Sequence, residues 1–548
     1  MANRVGVVVQ ILISLGSVLF AEPGARYLII AHDDFYDAVQ PLAEWKNKKG
    51  VSCIVKRKSE IGNTATVVRE YIINAYNTWE PRPEFILLVG SGAHISAFYR
   101  GSGSQRYYMD SKYGDVIGDT LADLPYGRLP CKTARQCSVM VARIVNYERY
   151  PFVEDTLWLR RATTIVNDSA DDDGWRYWAD ARFVAGLAEA NGFAGIDSLS
   201  SLRHHRASDI LKSVEQGASF VLYRGTATND WRAPFEIRFY LPNLDNGSCT
   251  PIVCSFTCQT MSLASTQDSM TGNTWVKLGT PELPRGAVAF VGNTHSGVNV
   301  ANRRSAMTRG FFTRLFSDSL PYLGHALLVG KLQLLTETGD WRDYFGFNMF
   351  GDPEMNVWTT MPVPMELTFD SLLPIGDDTF RIFVSRRGLP LQNALVCVRN
   401  QADSVYQWGY TDEKGELALT FTTTQEESLE LTVTGKNCLP YEGYVQVGTV
   451  SQVIEAQQFE RQDDGRIQVI PNPSHGQFAV KAPIGSEISI LSASGRTLCR
   501  YLQGRTLDAG CQNLLFSGSS SVLACGVYHL VVRSPDGRIA RQRLVVAR

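Results

Sequence analysis

Short apolar runs alternate with stretches of helical period over the first two thirds of the chain. Tyr27-Leu28-Ile29-Ile30-Ala31 is continuously apolar and predicts a buried strand. From Asp34 to Lys49 apolar residues recur at helical spacing, with Gly50 as the stop. Val51 to Val55 predicts the next strand, Ala65 to Trp79 a helix, Glu84 to Gly90 a third strand and Ala134 to Tyr150 a further helix. A second set begins with the strand Arg161 to Val166 and the helices Trp175 to Asn191 and Ala207 to Gln216. Three apolar runs follow, ending at Gly225, at Cys258 and at Asn293. Helical stretches from Ser305 to Phe316 and from Gly324 to Leu335 then lead to Phe350-Gly351-Asp352-Pro353-Glu354-Met355. Alternation of this order predicts parallel sheets covered by helices on both faces, an α/β unit of two subdomains.

After Pro362 the period shortens to alternating strands, Arg381 to Val384, Ala394 to Val398, Leu417 to Leu419 and Leu429 to Val433, with turn signals such as Asp412-Glu413-Lys414-Gly415 between them. That spacing predicts a β-sandwich of immunoglobulin-like type. Residues 455–466, rich in Gln, Glu, Asp and Arg, read as a polar linker, and a second small β-sandwich is expected from residue 467 to the end. The expected organisation is a leader over 1–21, α/β subdomains over 22–133 and 134–361, the immunoglobulin-like domain over 362–454 and the last domain over 467–548.

The leader reading rests on a positive start, Met1-Ala2-Asn3-Arg4, an apolar stretch from Val5 to Phe20 and a small residue at Ala21, the pattern of a secretory signal peptide. Gln10, Ser14 and Ser17 interrupt the stretch, which is short for a membrane span, and no later stretch is long and apolar enough to be one. With 44% hydrophobic and 20% charged residues in 548, the chain is of ordinary globular composition, and that length predicts several domains. A net charge of -2 gives no electrostatic reason to expect nucleic acid or an anionic membrane surface. Eleven cysteines are compatible with some disulfides in an exported chain, Cys131 with Cys137 or two among Cys499, Cys511 and Cys525. The odd count leaves a thiol over, and Cys258 is the choice for it. Neither a phosphate-binding glycine loop nor a zinc signature is present.

The candidate chemistry centres on Pro251-Ile252-Val253-Cys254-Ser255-Phe256-Thr257-Cys258-Gln259, an apolar run ending on a cysteine. Carboxyl ends of strands are where α/β sheets place reactive groups, so Cys258 is the candidate nucleophile. A thiol needs a base. The preceding strand ends in Tyr223-Arg224-Gly225-Thr226-Ala227-Thr228 and offers none. The following strand ends in Asn293-Thr294-His295-Ser296-Gly297, so the base is His295 or absent, the alternative for His295 being a pocket-lining or solvent-exposed histidine. His32 and His94 end strands of the first subdomain and read as structural or solvent-facing; His204 and His205 lie in a charged, solvated cluster.

Taken together, the stretch from Tyr27 to Lys49, Ala122 to Pro130, the strands ending at Gly225 and Cys258, Gly286 to Asn293 and Phe350 to Met355 resemble the gingipain-type cysteine peptidase family over about residues 25–445. The resemblance implies a caspase-like α/β fold and secreted endopeptidase activity on peptide or protein substrates, with no cofactor required and structural calcium left open. It implies a catalytic cysteine at Cys258, a catalytic histidine where this chain has Thr226, and an oxyanion hole from the backbone N–H groups of Ala227 and Cys258. It also places an acid that holds a basic substrate side chain in the region of Asp168, Asp171, Asp172 and Asp173, of which Asp172 and Asp173 are the pocket candidates; read from the residues alone, such a run is a solvated loop. Asp123 matches a recurring family acid, for which a structural hydrogen-bonding role is expected. With Thr226 in the histidine position, the alternative is a catalytically silent homologue that binds peptides or surface polymers. A second resemblance covers the C-terminal domain: Ile470-Pro471-Asn472-Pro473 to Phe478, Ser494-Gly495-Arg496, Ala524 to Tyr528 and Leu544-Val545-Val546 resemble the sorting domain of type IX secretion cargo. That implies the type IX machinery as partner and delivery to the outer surface, or beyond it, of a Gram-negative bacterium.

Overall fold

The computed structural model describes residues 22–448, apart from 104–105, 154–156, 268, 298–299 and 318–321, together with strands between 468 and 546. The expected leader, the linker at 455–466, and the motif residues 471–477, 494–496 and 524–525 lie outside the described residues. Two compact units divide the chain near residue 448.

The core of the first unit is one ten-stranded sheet. In chain order its strands are β1 Tyr27–Ala31, β2 Cys53–Arg57, β3 Phe85–Val89, β4 Tyr126–Leu129, β5 Arg161–Val166, β6 Gly195–Ser200, β7 Phe220–Arg224, β8 Ile252–Ser255, β9 Ala289–Asn293 and β10 Phe347–Phe350. Across the sheet they run 6-5-7-8-9-10-4-3-1-2. All neighbours are parallel except β9 and β10, which pair antiparallel from Phe290 with Phe350 to Asn293 with Phe347. The expected two subdomains are therefore fused edge to edge, with the strands of one half reversed relative to the other. The carboxyl ends of β7, β8 and β9 share one edge of the sheet; those of β1 and β3, which carry His32 and His94, lie at the opposite edge.

Strands buried on both faces explain the continuous apolar runs: every residue of β1, β3, β7, β8 and β9 is buried. The helices α1 Tyr36–Lys48, α2 Ala65–Thr78, α3 Ala134–Arg149, α4 Gly174–Ala190, α5 Ala207–Glu215, α6 Ala301–Leu315 and α7 Leu323–Thr338 follow the expected periods; a further short helix, α8 Trp341–Gly346, has no counterpart in the expected set. Two differences matter. The edge strand β6, Gly-Ile-Asp-Ser-Leu-Ser, has no apolar run because its first four residues are only half buried. Helix α6 begins at Ala301 rather than Ser305; the polar stretch Asn302-Arg303-Arg304 hides the helix start, yet Arg304 is buried.

Residues 366–448 form the expected sandwich, a four-stranded sheet facing a five-stranded one around Phe380, Ile382, Val384, Val396, Val398, Leu431, Val433 and Val445. It meets the α/β part through side chains: Arg149 pairs with Glu442 at 2.6 Å, and Arg26 lies over the Trp408 ring at 4.0 Å. The described residues of the second unit form a three-stranded and a four-stranded antiparallel sheet. Among residues with described side chains, Cys53, Cys131, Cys137, Cys254, Cys258, Cys397 and Cys438 are free thiols. Cys131 and Cys137 are buried and not bonded to each other, contrary to the pairing considered above; the Cys131 thiol donates to the Leu129 carbonyl at 3.5 Å.

Candidate active site

At the shared carboxyl edge of β7, β8 and β9 a cleft of about 940 Å³ opens, and Thr226, Ala227, Cys258 and His295 all line it. The three loops that carry them are held by the backbone. Gly225 has a φ of +155°, and a side chain there would strike Asn167 and Tyr223, so the chain leaves β7 in a turn that suits glycine. Asn167 Nδ2 donates to the carbonyls of Arg232 and Ala233 at 3.0 and 3.1 Å, and Trp231 stacks on Tyr223 with centroids 4.5 Å apart. Thr226 uses its carbonyl, which accepts from the Tyr223 hydroxyl at 2.7 Å and from Arg232 N at 3.2 Å. No titratable group stands at that position.

Beyond β8, Thr257 Oγ1 donates to the Gly225 carbonyl at 2.6 Å, and Gln259 N donates to the His295 carbonyl at 3.0 Å. Cys258 is thereby fixed between the turn after β7 and the turn after β9. Its Sγ accepts from Arg304 Nη1 at 3.0 Å and donates to the Gly297 carbonyl at 3.4 Å. A Cβ added to Gly297 would stand 3.4 Å from His295 Cε1, so the sulfur and the imidazole flank the same glycine.

His295 is oriented from behind. Its Nδ1 lies 3.4 Å from Asp343 Oδ1, its N–H donates to Asn293 Oδ1 at 2.7 Å, and Asn293 Nδ2 donates to the same Asp343 oxygen at 3.0 Å. The Tyr107 ring meets the imidazole edge to face at 5.1 Å. Burial would raise the Asp343 carboxyl, but the Arg304 guanidinium 3.6 Å away, with His295 and Asn293, outweighs it and holds the group down at about 2. Asp343 is therefore an anion facing His295 over the neutral range. A carboxylate behind one ring nitrogen leaves the other as the proton acceptor. Arg304 spans the arrangement, touching sulfur on one side and carboxylate on the other, and burial, which alone would lower its affinity for a proton, is overcome by Asp343 and Cys258.

Asp343 and Arg304 are the functional residues that the sequence reading did not find. Asp343 sits in the six-residue helix before β10 and reaches β9 only because that pair is antiparallel. The one signal for Arg304 is a charge within the first turn of a helix that is buried nearly all round.

The acidic run lies elsewhere. Asp168 accepts from Trp178 Nε1, Ser200 Oγ, Ser201 Oγ and Leu202 N; Asp171 accepts from the Tyr177 hydroxyl at 2.8 Å; Asp173 pairs with Arg176 at 3.0 Å; Asp172 is exposed. Asp172 and Asp173 are not among the residues lining the cleft, whose only acid among the described residues is Glu236. Asp123 accepts from Val116 N and Ile117 N at 2.9 and 3.1 Å, a loop-holding arrangement.

Candidate metal ligands come together in two places among the described residues, both away from the cleft: His32 with Asp34 and His94, and Glu148 with Asp352 and Glu354. In the second group Lys46 Nζ stands 2.5 to 2.7 Å from all three carboxylates, where a cation would be.

The described fold has counterparts among known proteins. Gingipain R2 of Porphyromonas gingivalis is 21% identical over 424 residues, 75% of this chain and 56% of that protein. Gingipain R1 of the same organism is 20% identical over 425 residues, 75% of this chain and 41% of the relative. The chain thus spans about half the length of these relatives. The crystal structure of the Arg-specific cysteine proteinase gingipain R superposes with a TM-score of 0.68 at 19% identity, covering 78% of this chain and 98% of that one. At that identity the likeness establishes the fold, the caspase-like α/β unit followed by a β-sandwich. The family model described as peptidase family C25 matches residues 20–358, more than half of the sequence, and the chain belongs to that family.

Proposed function

We propose that the protein is an exported cysteine-type endopeptidase whose base has moved from the turn after β7 to the turn after β9. In this reading the Cys258 thiol gives its proton to His295 as sulfur attacks a peptide carbonyl, and the oxyanion is met by the backbone N–H groups of Ala227 and Cys258. His295 then returns the proton to the leaving amine, and water hydrolyses the thioester with His295 again as base. Asp343 orients and stabilises the imidazolium. Arg304 donates toward the sulfur, a contact that strengthens as charge builds there. The observation that carries the reading is the buried Asp343 carboxylate 3.4 Å behind His295, on the wall of the cleft that holds Cys258. The apolar leader and the C-terminal motifs support delivery to the cell surface or beyond through the type IX machinery.

The second reading, a silent homologue that binds peptides or surface polymers, is favoured by one observation, Thr226 at the position where the resemblance implies the histidine. Incubation with a mixture of peptidyl acyloxymethyl ketones, followed by mass spectrometry, separates the two. The enzyme reading expects adduct at Cys258 in the wild type and almost none in His295→Ala. Folded protein without adduct, and without cleavage of a broad peptide library, would establish the silent reading.

A further inference from the structure

The charges of the cleft are unlike those needed to hold a basic substrate. Among the described residues three arginines line it, Arg232 from the loop after β7, Arg303 from α6 and Arg342 from α8, against the single carboxylate of Glu236. Arg303 is already answered by Asp340 at 2.8 Å. Arg232 and Arg342 are both exposed, and among the described residues neither has an ion-pair partner; the Arg232 guanidinium donates from Nη2 to Thr228 Oγ1 at 3.3 Å. The acids that could have balanced them face other groups. Asp168 is saturated by four donors, Asp171 and Asp173 are engaged with Tyr177 and Arg176, and none of the three lines the cleft.

We infer that the cleft selects peptides bearing aspartate or glutamate close to the scissile bond, with Arg232 and Arg342 as the specificity-determining side chains. The inference rests on the reading of this cleft as a peptide site and names its substrate class. A lysine or arginine side chain entering the cleft would bring a cation among three guanidinium groups, with only Glu236 to meet it. An acidic side chain meets forked donors whose planar geometry matches a carboxylate. A bound peptide displaces water from the cleft and lowers the local dielectric, so the contrast between the two charges grows when the site fills. Arg232 comes from the loop after β7, its backbone N–H on the Thr226 carbonyl, and Arg342 precedes Asp343, which backs the turn after β9; the turn that carries Cys258 lies between those two turns, so acidic residues on either side of the reacting carbonyl fit.

The test uses the full chain carrying Cys258→Ala, so that binding is read without turnover. Fluorescent peptides of one length, differing only in Glu, Gln or Lys at each position in turn, are titrated by anisotropy. At the best position Glu is expected to bind about tenfold tighter than Gln, with Lys weakest, as two partly exposed ion pairs would give. The advantage of Glu over Gln should shrink in 0.5 M salt. Adding Arg232→Glu and Arg342→Glu, both at exposed positions, should reverse the order of Glu and Lys. Tighter binding of Lys, or equal binding of Glu and Gln, overturns the inference while leaving the peptide-site reading intact. Failure of every peptide to bind overturns both.

Discussion

Two buried clusters of charge sit on the same sheet and differ in one respect, access to water. Beneath the β-sandwich, Lys46 and Lys49 are packed among Glu148, Asp352 and Glu354, all at most 4% exposed, with Tyr27 donating to Asp352 at 2.6 Å and Trp45 to Glu148 at 3.1 Å. Two ammonium groups face three carboxylates, and burial pushes the Glu354 carboxyl up, making it the natural holder of a proton. At the other cluster Arg304, Asp343, His295 and Cys258 are also largely buried, but the last two form part of the wall of an open cleft. A sealed cluster can only hold elements together; an open one with an unbalanced titratable pair can exchange protons with a ligand.

The contrast breaks most visibly at the open cluster. His295→Ala should lower kcat for peptide cleavage by about 10⁴-fold, since one group serves as base and then as acid, with the unfolding midpoint nearly unchanged. A large fall in the midpoint instead would make the open cluster structural as well. Next in size, Lys46→Met should cost about 4 kcal/mol in a urea titration, because the carboxylates lose their central cation. Its activity per folded molecule should stay at the wild-type level, and loss of kcat in a fully folded sample would join the two clusters functionally.

Asp343→Asn sharpens the comparison through pH. The folded-state carboxyl lies at about 2, below its ordinary value of 3.8, so its stabilisation is complete above about pH 4 and is lost as pH falls toward 2. The variant should therefore be about 2 kcal/mol less stable at pH 7, with the gap closing between pH 4 and 2 as the wild type protonates. A gap that stays constant over that range would locate the stabilisation outside the carboxylate charge. The smallest effect belongs to Thr226→Ala, expected to change kcat by less than about twofold because the Thr226 contacts run through its carbonyl. A tenfold loss there would mean that the turn after β7 still takes part in the chemistry.

Most of the α/β unit was legible because strands buried on both faces must be apolar throughout, as in Ile29 or Leu87, and because helices covering them must repeat at helical spacing. Cys258, His295 and Thr226 were legible as a group because all three follow strands whose carboxyl ends share an edge. What patterning cannot carry is pairing between distant segments. Nothing local in Trp341–Gly346 announces that Asp343 will face His295, since that depends on β10 entering the sheet reversed. Arg304 was not singled out, because a buried guanidinium and an exposed one look alike in a sequence. Asp172 and Asp173 were pocket candidates through the family resemblance, and the reading of the residues alone, a solvated loop, is nearer to what the structure shows, since neither lines the cleft.

The register of β7, β8 and β9 bears on how this site could change over time. Thr226 lies two residues beyond the end of β7, and His295 lies two residues beyond the end of β9. The cysteine turn runs between them, one parallel neighbour on either hand. The nucleophile therefore has two mirror-related berths for a proton carrier, and a lineage could pass the role from one to the other by point substitution, without rebuilding the strand that carries the sulfur. Under the proposed chemistry such a handover also fixes an orientation: the departing amine of a substrate must lie on the β9 side of Cys258, so the peptide is threaded with reference to Asp343 and not to the turn after β7.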